Sequence, residues 1–424
     1  MNNVVCIFAD QMHRYAMGCM GNRDVHTPNL DGLAEQGVLF SNAYSPNPVC
    51  TPFRISLMTG RLSAETRTWT NGNRIPDGAT TLADCFNEAG YTTSYVGKWH
   101  IGGAGNTAVP AELRGGFERF IGYQCYNGFT RDTKFFDETN EAHRFGDHRT
   151  DVTTDLAIER LGEIGSGPFA HFVSYEAPHY PVQPADRFYE QYRDKPIALR
   201  PNFVPGVEPY TPTHNPPSPT DPDDDPDYRR YGGDMLEYIR LYYAMVSQVD
   251  YGVGRILEYL EDSGLAETTA VVFMSDHGDM QGSHGRVNKA LPYEESAGIP
   301  MIARAPGGRS GELNRTLVSG ADLYPTLLDL AGITDNREVT GRSFARLIVR
   351  GGEEDRSLVS ESPDRSWSMI RRGRWKLVAD QHTGRPTMLF DLESDPYELS
   401  NLVSESSVAG VIRRLKAELF AWFH

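Results

Sequence analysis

Residues 270–279 read AVVFMSDHGD, an apolar, partly β-branched run that stops abruptly at groups able to ionise or to bind a metal. A short continuous apolar run fits a strand covered on both faces, as in a parallel sheet. Three other runs repeat the design: VVCIFAD ends at Asp10, YTTSYVGKWH at His100 and FAHFVSYEAPH at His179. Helical patterns alternate with them. The expected fold is therefore α/β, with a large mixed, mainly parallel sheet flanked by helices. In such open sheets ligands bind beyond the carboxyl ends of the strands, so four separate segments would deliver reactive groups to one place. One such residue alone reads as a helix cap or a turn; four together point to a site.

The segments between support this reading. TPNLDGLAEQG predicts a helix capped by Thr27, with Pro28 at its first position and Gly37 beyond its end, and TTLADCFNEAG repeats the logic from Thr80 or Thr81 to Gly90. ADLYPTLLDLAGI is a further amphipathic helix. Residues 201–228, dense in Pro and Asp, predict a long surface loop inside a catalytic domain spanning 1–364. From about residue 365 the texture changes. SWSMIRRGRWKLVAD and TMLFDLES read as antiparallel strands around DQHTGRP, and SSVAGVIRRLKAELFAWF as a terminal helix. Residues 365–424 are thus expected to form a small C-terminal α+β domain. No internal repeat is evident.

With 424 residues, 39% hydrophobic and 23% charged, the chain has the composition of a soluble globular protein. Its net charge of −16 repels nucleic acid and anionic membranes at long range, so neither is an expected partner, and an anionic substrate would need a local cluster of cations. The opening MNNVVCIFAD enters a strand pattern without a secretory leader, which gives a cytoplasmic expectation unless a leader was removed. The five cysteines, Cys6, Cys19, Cys50, Cys85 and Cys125, lack the paired spacings of zinc or redox sites. A disulfide framework is not expected.

Cys50 lies in PVCTPFRISLMTGR, at the start of a predicted helix whose N-terminus would stabilise a thiolate. On physical grounds it is either a nucleophile or a buried thiol. The stretch CTPFRISLMTGR, however, resembles the signature of the type I, formylglycine-dependent sulfatases of the alkaline phosphatase-like superfamily. FADQ, TPNLDGLAEQGVLFSNAYS, GKWHIG, APHYP, SDHGDMQGSHG and GRWKLV…LFDLESDPYELSNL fall in the order of that family, so the resemblance covers most of the chain.

The resemblance implies an alkaline phosphatase-like fold and a sulfuric ester hydrolase acting on a small or carbohydrate-derived sulfate, including an oligosaccharide. It implies that a formylglycine-generating enzyme oxidises Cys50 to an aldehyde, whose hydrate attacks sulfur to form a sulfo-enzyme and then expels sulfate. Pro52 and Arg54 belong to the tag that such an enzyme reads, while Phe53 stands where serine is commonest. Arg54 would steady the diol. Asp10, Gln11, Asp276, His277 and an oxygen of modified Cys50 would hold Ca²⁺, an oxygen-seeking cation, with Mn²⁺ admitted by the imidazole. Lys98, His100, His179 and Lys289 would contact the diol and the sulfate oxygens, with His179 as general acid to the leaving alkoxide and His100 assisting deprotonation of the diol. Gln11 and His277 depart from the commoner Asp and Asn and resemble the branch with choline sulfatases and phosphonate monoester hydrolases. A phosphonate or phosphodiester hydrolase is therefore the alternative activity, and a non-catalytic binding protein with an unmodified thiol is the alternative of another class. His284 is left outside the core set. Trp69, Asn73 and Arg74 are candidates to reach the organic part of a substrate.

Overall fold

A computed structural model describes residues 2–165, 167–209 and 234–423. Its centre is a ten-stranded sheet in the order Glu312–Asn314, Val38–Phe40, Met301–Arg304, Thr269–Ser275, Asn3–Ala9, Phe169–Ser174, Thr92–Lys98, Arg119–Tyr123, Thr133–Phe136 and Ala142–Phe145. The five strands from Thr269–Ser275 to Arg119–Tyr123 run parallel; antiparallel pairings extend the sheet on both sides, with one further parallel pair, Val38–Phe40 and Glu312–Asn314, at one edge. Four of those five are the apolar runs that end at ionisable groups, so their carboxyl ends open on the same edge. In the Asn3–Ala9 strand, Val4 to Ala9 are fully buried, which is why it shows no alternation in sequence.

Two apolar layers sandwich the sheet. On one face Val5, Ile7, Phe169 and Val173 meet the helices Pro28–Gln36, Arg149–Glu163 and Met235–Asp262. On the other, Cys6, Phe8, Ala170 and Phe172 meet Cys50–Thr59, Leu82–Glu88, Leu323–Ala331 and Ala345–Arg350. Local signals set the helix ends. Thr81 accepts from the Asp84 amide while Asp84 returns a bond to the Thr81 amide, a reciprocal cap. Thr27 occupies the N-cap position without a side-chain bond of that kind.

The C-terminal part is a four-stranded antiparallel sheet packed on the helix Ala409–Phe423 through Val359, Ile370, Leu377, Leu389, Leu415 and Leu419. Its first strand is Ser357–Glu361, so this sheet begins before residue 365. The strand is short and carries no texture change, because only its pairing with Trp367–Arg372 defines it. Residues 201–209 contain no helix or strand and are mostly exposed, as expected of a surface loop, while Asn202 is buried and bonds Glu295. Residues 210–228 of that loop lie outside the described residues.

Candidate active site

The helix Cys50–Thr59 is buried along its whole length, and its first residue stands at the edge where the four strands end. No side chain of its N-cap residue closes the helix; instead the amide of Thr51 donates to Asn71 Oδ1 at 3.1 Å. Gly60, at φ 66°, ends it in the left-handed region. Phe53 turns away from the site into the core, against Gly320, where a Cβ would stand 2.3 Å from the ring. The departure from serine at this position is thus a packing choice, matched by a glycine across the interface.

Around the Cys50 Sγ the strand ends supply two carboxylates with a division of labour. Asp10 Oδ2 forms an ion pair with Lys98 Nζ at 2.7 Å and accepts from Arg54 Nη2 at 3.1 Å, and Asp276 Oδ2 accepts from the same Arg54 nitrogen at 3.3 Å. The other oxygens face inward. Asp10 Oδ1 and Asp276 Oδ1 each lie 3.5 Å from His277 Nε2, and Asp10 Oδ1 lies 3.6 Å from Cys50 Sγ. One ligand atom each from Asp10, Cys50, Asp276 and His277 falls within 4.8 Å of the others. His277 Nδ1 is 3.0 Å from the carbonyl of Gly278, which fixes that nitrogen as donor and leaves Nε2 aimed at the carboxylates. Two carboxylates, an imidazole nitrogen and the side chain of residue 50 make a donor set that suits a divalent cation.

The proton balance agrees with that donor set. Burial raises the pKa of the Asp10 carboxyl, but the charges of Lys98 and Lys289 outweigh it and keep Asp10 ionised. Asp276, buried beside the Asp10 charge, is pushed up to about 6. Burial lowers the His277 pKa, yet Asp276 and Cys50 more than reverse this and hold a proton at the centre. A cation there would replace that proton. Burial opposes ionisation of Cys50, but Lys289, Lys98 and His277 bring its pKa well below the usual thiol range.

Gln11 stands beside these donors with its amide nitrogen committed to Asp279 Oδ2 at 3.0 Å, while its Oε1 accepts from Lys289 Nζ at 3.1 Å. Lys289 also reaches Cys50 Sγ at 3.3 Å and His179 Nε2 at 2.9 Å. Burial and the Lys289 and Lys98 charges push His179 down to about 4, so at neutral pH it accepts from Lys289. His100 lies against the thiol, its pKa lowered by burial and by Lys98 and Arg54. Gln11, His100 and Ala290 have φ of 64°, 53° and 70°, a concentration of left-handed backbone at non-glycine residues around Cys50. Arg54, Lys98, His100, His179 and Lys289 are therefore all brought to the thiol or to its carboxylates.

Sequence reasoning missed Glu176, buried between Lys98 at 3.6 Å and Arg149 at 3.9 Å and accepting the amides of Tyr126 and Asn127 at 2.9 Å. Its signal was present, since it sits at the end of the FAHFVSYEAPH run. Asp279 was quoted but given no role; it holds Gln11 and accepts from Tyr238 at 2.7 Å. His284 stacks on Tyr293 and bonds Asn202, apart from these groups. Trp69 donates to Glu361 at 2.8 Å, Asn73 bonds Thr70 at 3.0 Å, and Arg74 is exposed beside Asp77.

Comparison with known proteins gives a family. A family model described as Sulfatase matches residues 2–333, and one described as N-sulphoglucosamine sulphohydrolase, C-terminal, matches residues 282–423. The chain is similar to a Ulvan-active sulfatase of Formosa agariphila, 29% identical over 98% of this chain and 80% of that protein. It is 30% identical to a Choline-sulfatase of Rhizobium meliloti over 94% of this chain and 82% of the relative. An N-acetylglucosamine-6-O-sulfatase of Bacteroides thetaiotaomicron is 25% identical over 96% of this chain and 83% of its own. Among solved structures, the putative sulfatase yidJ from Bacteroides fragilis superposes with a TM-score of 0.84 at 28% identity, covering 99% of this chain and 95% of the other.

Proposed function

The chain belongs to the sulfatase family, and from that premise we propose that it releases inorganic sulfate from a carbohydrate-derived sulfate ester, using formylglycine at position 50 and a divalent cation. One observation carries the reading. Lys98 and Arg54 hold one oxygen each of Asp10 and Asp276 from one side, the amides of Gln11 and His277 hold Asp276 Oδ1, and one ligand atom each of Asp10, Asp276, His277 and residue 50 converge within 4.8 Å. Relatives named for ulvan and for N-acetylglucosamine 6-O-sulfate support a carbohydrate substrate.

A hydrated aldehyde at position 50 supplies one hydroxyl to attack sulfur and a second to release sulfate. Asp10, Asp276, His277 and the side chain of residue 50 would hold the cation, Ca²⁺ or Mn²⁺, which would supply charge for the sulfuryl oxygens and lower the pKa of the attacking hydroxyl. The remaining work falls to side chains already in place. Arg54 holds both carboxylates through one nitrogen and fixes their separation. Lys98 keeps Asp10 anionic. Lys289 would donate to a sulfuryl oxygen, since its Nζ is already 3.3 Å from the reacting position. The proton for the leaving alcohol oxygen would come through the Lys289–His179 pair: the anionic ester raises the basicity of His179, which then carries a proton within reach of that oxygen. His100, unprotonated in the free protein, would take the proton of the second hydroxyl.

The test has two parts. Protein produced with a formylglycine-generating enzyme is digested with trypsin, and the fragment Asp24–Arg54 is weighed; an aldehyde is expected and a persistent thiol would sink the mechanism. Sulfate release from an aryl sulfate is then compared with turnover of a phenyl phosphonate ester. The pairing of Gln11 with His277 favours the phosphonate reaction as second reading, and a strong preference for phosphorus would make it the first.

A further inference from the structure

Beside the site lies a cavity of about 310 Å³ between the terminal helix and the C-terminal sheet, lined by Trp69, Arg365, Ser368, Gln381, Lys416 and Phe420 among others. Its position follows from a chain of hydrogen bonds. One wall is Trp69, two residues before Asn71, whose side chain holds the amide of Thr51. Two residues span at most about 7 Å, so this wall stands close to the start of the Cys50 helix. The facing wall is Arg365 and Ser368, next to Trp367, whose indole donates to the carbonyl of Ala290 at 3.2 Å. Ala290 follows Lys289 and its amide donates to the carbonyl of Pro48 at 3.2 Å. Buried Glu361 accepts from Trp69 and from the Ala64 amide, which fastens the floor to the same frame. Both walls are thus anchored to the two segments that flank Cys50.

The lining is mixed in a particular way. Trp69, Leu419, Phe420 and Phe423 offer apolar and aromatic faces, and Ser368 and Gln381 offer hydrogen bonds. The Arg365 guanidinium lies 4.8 Å from the centre of the Trp69 ring and Lys416 is exposed on the terminal helix. The one carboxylate of the lining, Asp380, is occupied by the amide and hydroxyl of Thr383 at 2.7 Å. Arg365 and Lys416 against Asp380 leave the lining with one net positive charge, on a chain of net charge −16. A surface that stacks on a ring, bonds hydroxyls and attracts an anion matches a sugar carrying a carboxylate or sulfate.

We propose that this cavity is a subsite for a second, anionic sugar unit of an oligosaccharide whose sulfated unit occupies the Cys50 site. The proposal rests on the sulfatase reading above. It is tested with Lys416→Ala and Phe420→Ala, two exposed positions outside the catalytic groups, Phe420 being 58% exposed. The substrates are 6-O-sulfated N-acetylglucosamine and a tetrasaccharide in which that unit alternates with a uronate. A KM for the tetrasaccharide raised about five- to tenfold, with kcat and all monosaccharide constants unchanged, is the expected result. Equal effects on both substrates, or none on either, would overturn it. Binding of the tetrasaccharide to the Cys50→Ala protein, read by calorimetry, keeps the two readings apart. If the wild type hydrolyses neither these sulfates nor the aryl sulfate, the catalytic reading fails, while loss of tetrasaccharide affinity in Lys416→Ala still supports the subsite and unchanged or undetectable binding overturns it.

Discussion

Two buried charge clusters in this molecule are built on opposite plans. Around Glu294, each carboxylate meets a protein cation: Glu294 pairs with Arg14 and Lys376, Glu398 with Lys376 at 2.5 Å, and Glu295 with Arg200 at 2.7 Å. Around Asp10 and Asp276, the cations Lys98 and Arg54 engage one oxygen of each carboxylate and leave the other pair facing His277 and Cys50. The first cluster joins the C-terminal sheet, through Lys376, to the turn that follows the Asn3–Ala9 strand, through Arg14, and it is closed in that each of its carboxylates has a cation beside it, although Glu295 Oε2 and Glu398 Oε1 accept no hydrogen bond. The second is open toward a point where donors from separate strands meet. Burial and charge density do not distinguish a clamp from the proposed centre; the gathering of Lys98 and Arg54 on one side of Asp10 and Asp276, with Cys50 and His277 on the other, does.

The contrast is broken most directly by Asp276→Ala. It removes an inward oxygen, so sulfate release should fall by at least about 10³-fold, while the loss of the acceptor for the Gln11 and His277 amides should lower stability by about 1–3 kcal/mol in urea titrations. Treatment with a chelator should reproduce the loss of activity, and re-addition of Ca²⁺ or Mn²⁺ should restore it. Lys289→Met is expected to cost about 10²–10³-fold in kcat, without a change in the denaturation midpoint.

The closed cluster should answer in the other currency. Lys376→Met strands Glu294 and Glu398 in the interior and should destabilise the fold by about 3–5 kcal/mol in urea titrations, with the folded fraction retaining its kcat. Loss of activity without loss of stability would erase the distinction. A smaller effect tests burial without any pairing. His171, fully buried in the central sheet, has no hydrogen-bond partner at either ring nitrogen, and burial pushes its pKa down to about 3 from 6.5. The unfolded chain therefore takes up this proton first, so the stability it contributes is complete above pH 6.5 and is lost as pH falls toward 3. His171→Leu should flatten the acid limb of the stability profile by up to about 3 kcal/mol, measured by urea titration at pH 7 and pH 4.5.

The open cluster was legible in sequence because its parts are local. Each strand is covered on both faces and shows as an unbroken apolar run, and each functional group follows where the run stops, as at Asp10 and Asp276. Helix punctuation was equally local, at Thr27, Pro28, Thr81 and Gly37. The closed cluster left no such trace. It brings together positions 14, 200, 294, 295, 376 and 398, and no window of sequence contains more than two of them. The packing of Phe53 against Gly320, the Ser357–Glu361 strand and the burial of Asn202 were hidden for the same reason, since each is defined by a partner far along the chain.

The placement of the Asn3–Ala9 strand sets a timetable for synthesis. Its two neighbours are Phe169–Ser174 and Thr269–Ser275, so on the ribosome one of its edges stays unpaired until Ser174 has emerged and the other until Ser275. Lys289, which covers the thiol, comes later still. Under the proposed mechanism Cys50, 0% exposed in the finished fold, would be reached by its modifying enzyme during that interval. Slow elongation and holding chaperones would lengthen the interval, and rapid high-level expression would crowd it. The fraction of active molecules in a preparation would then record how long the nascent chain stayed open.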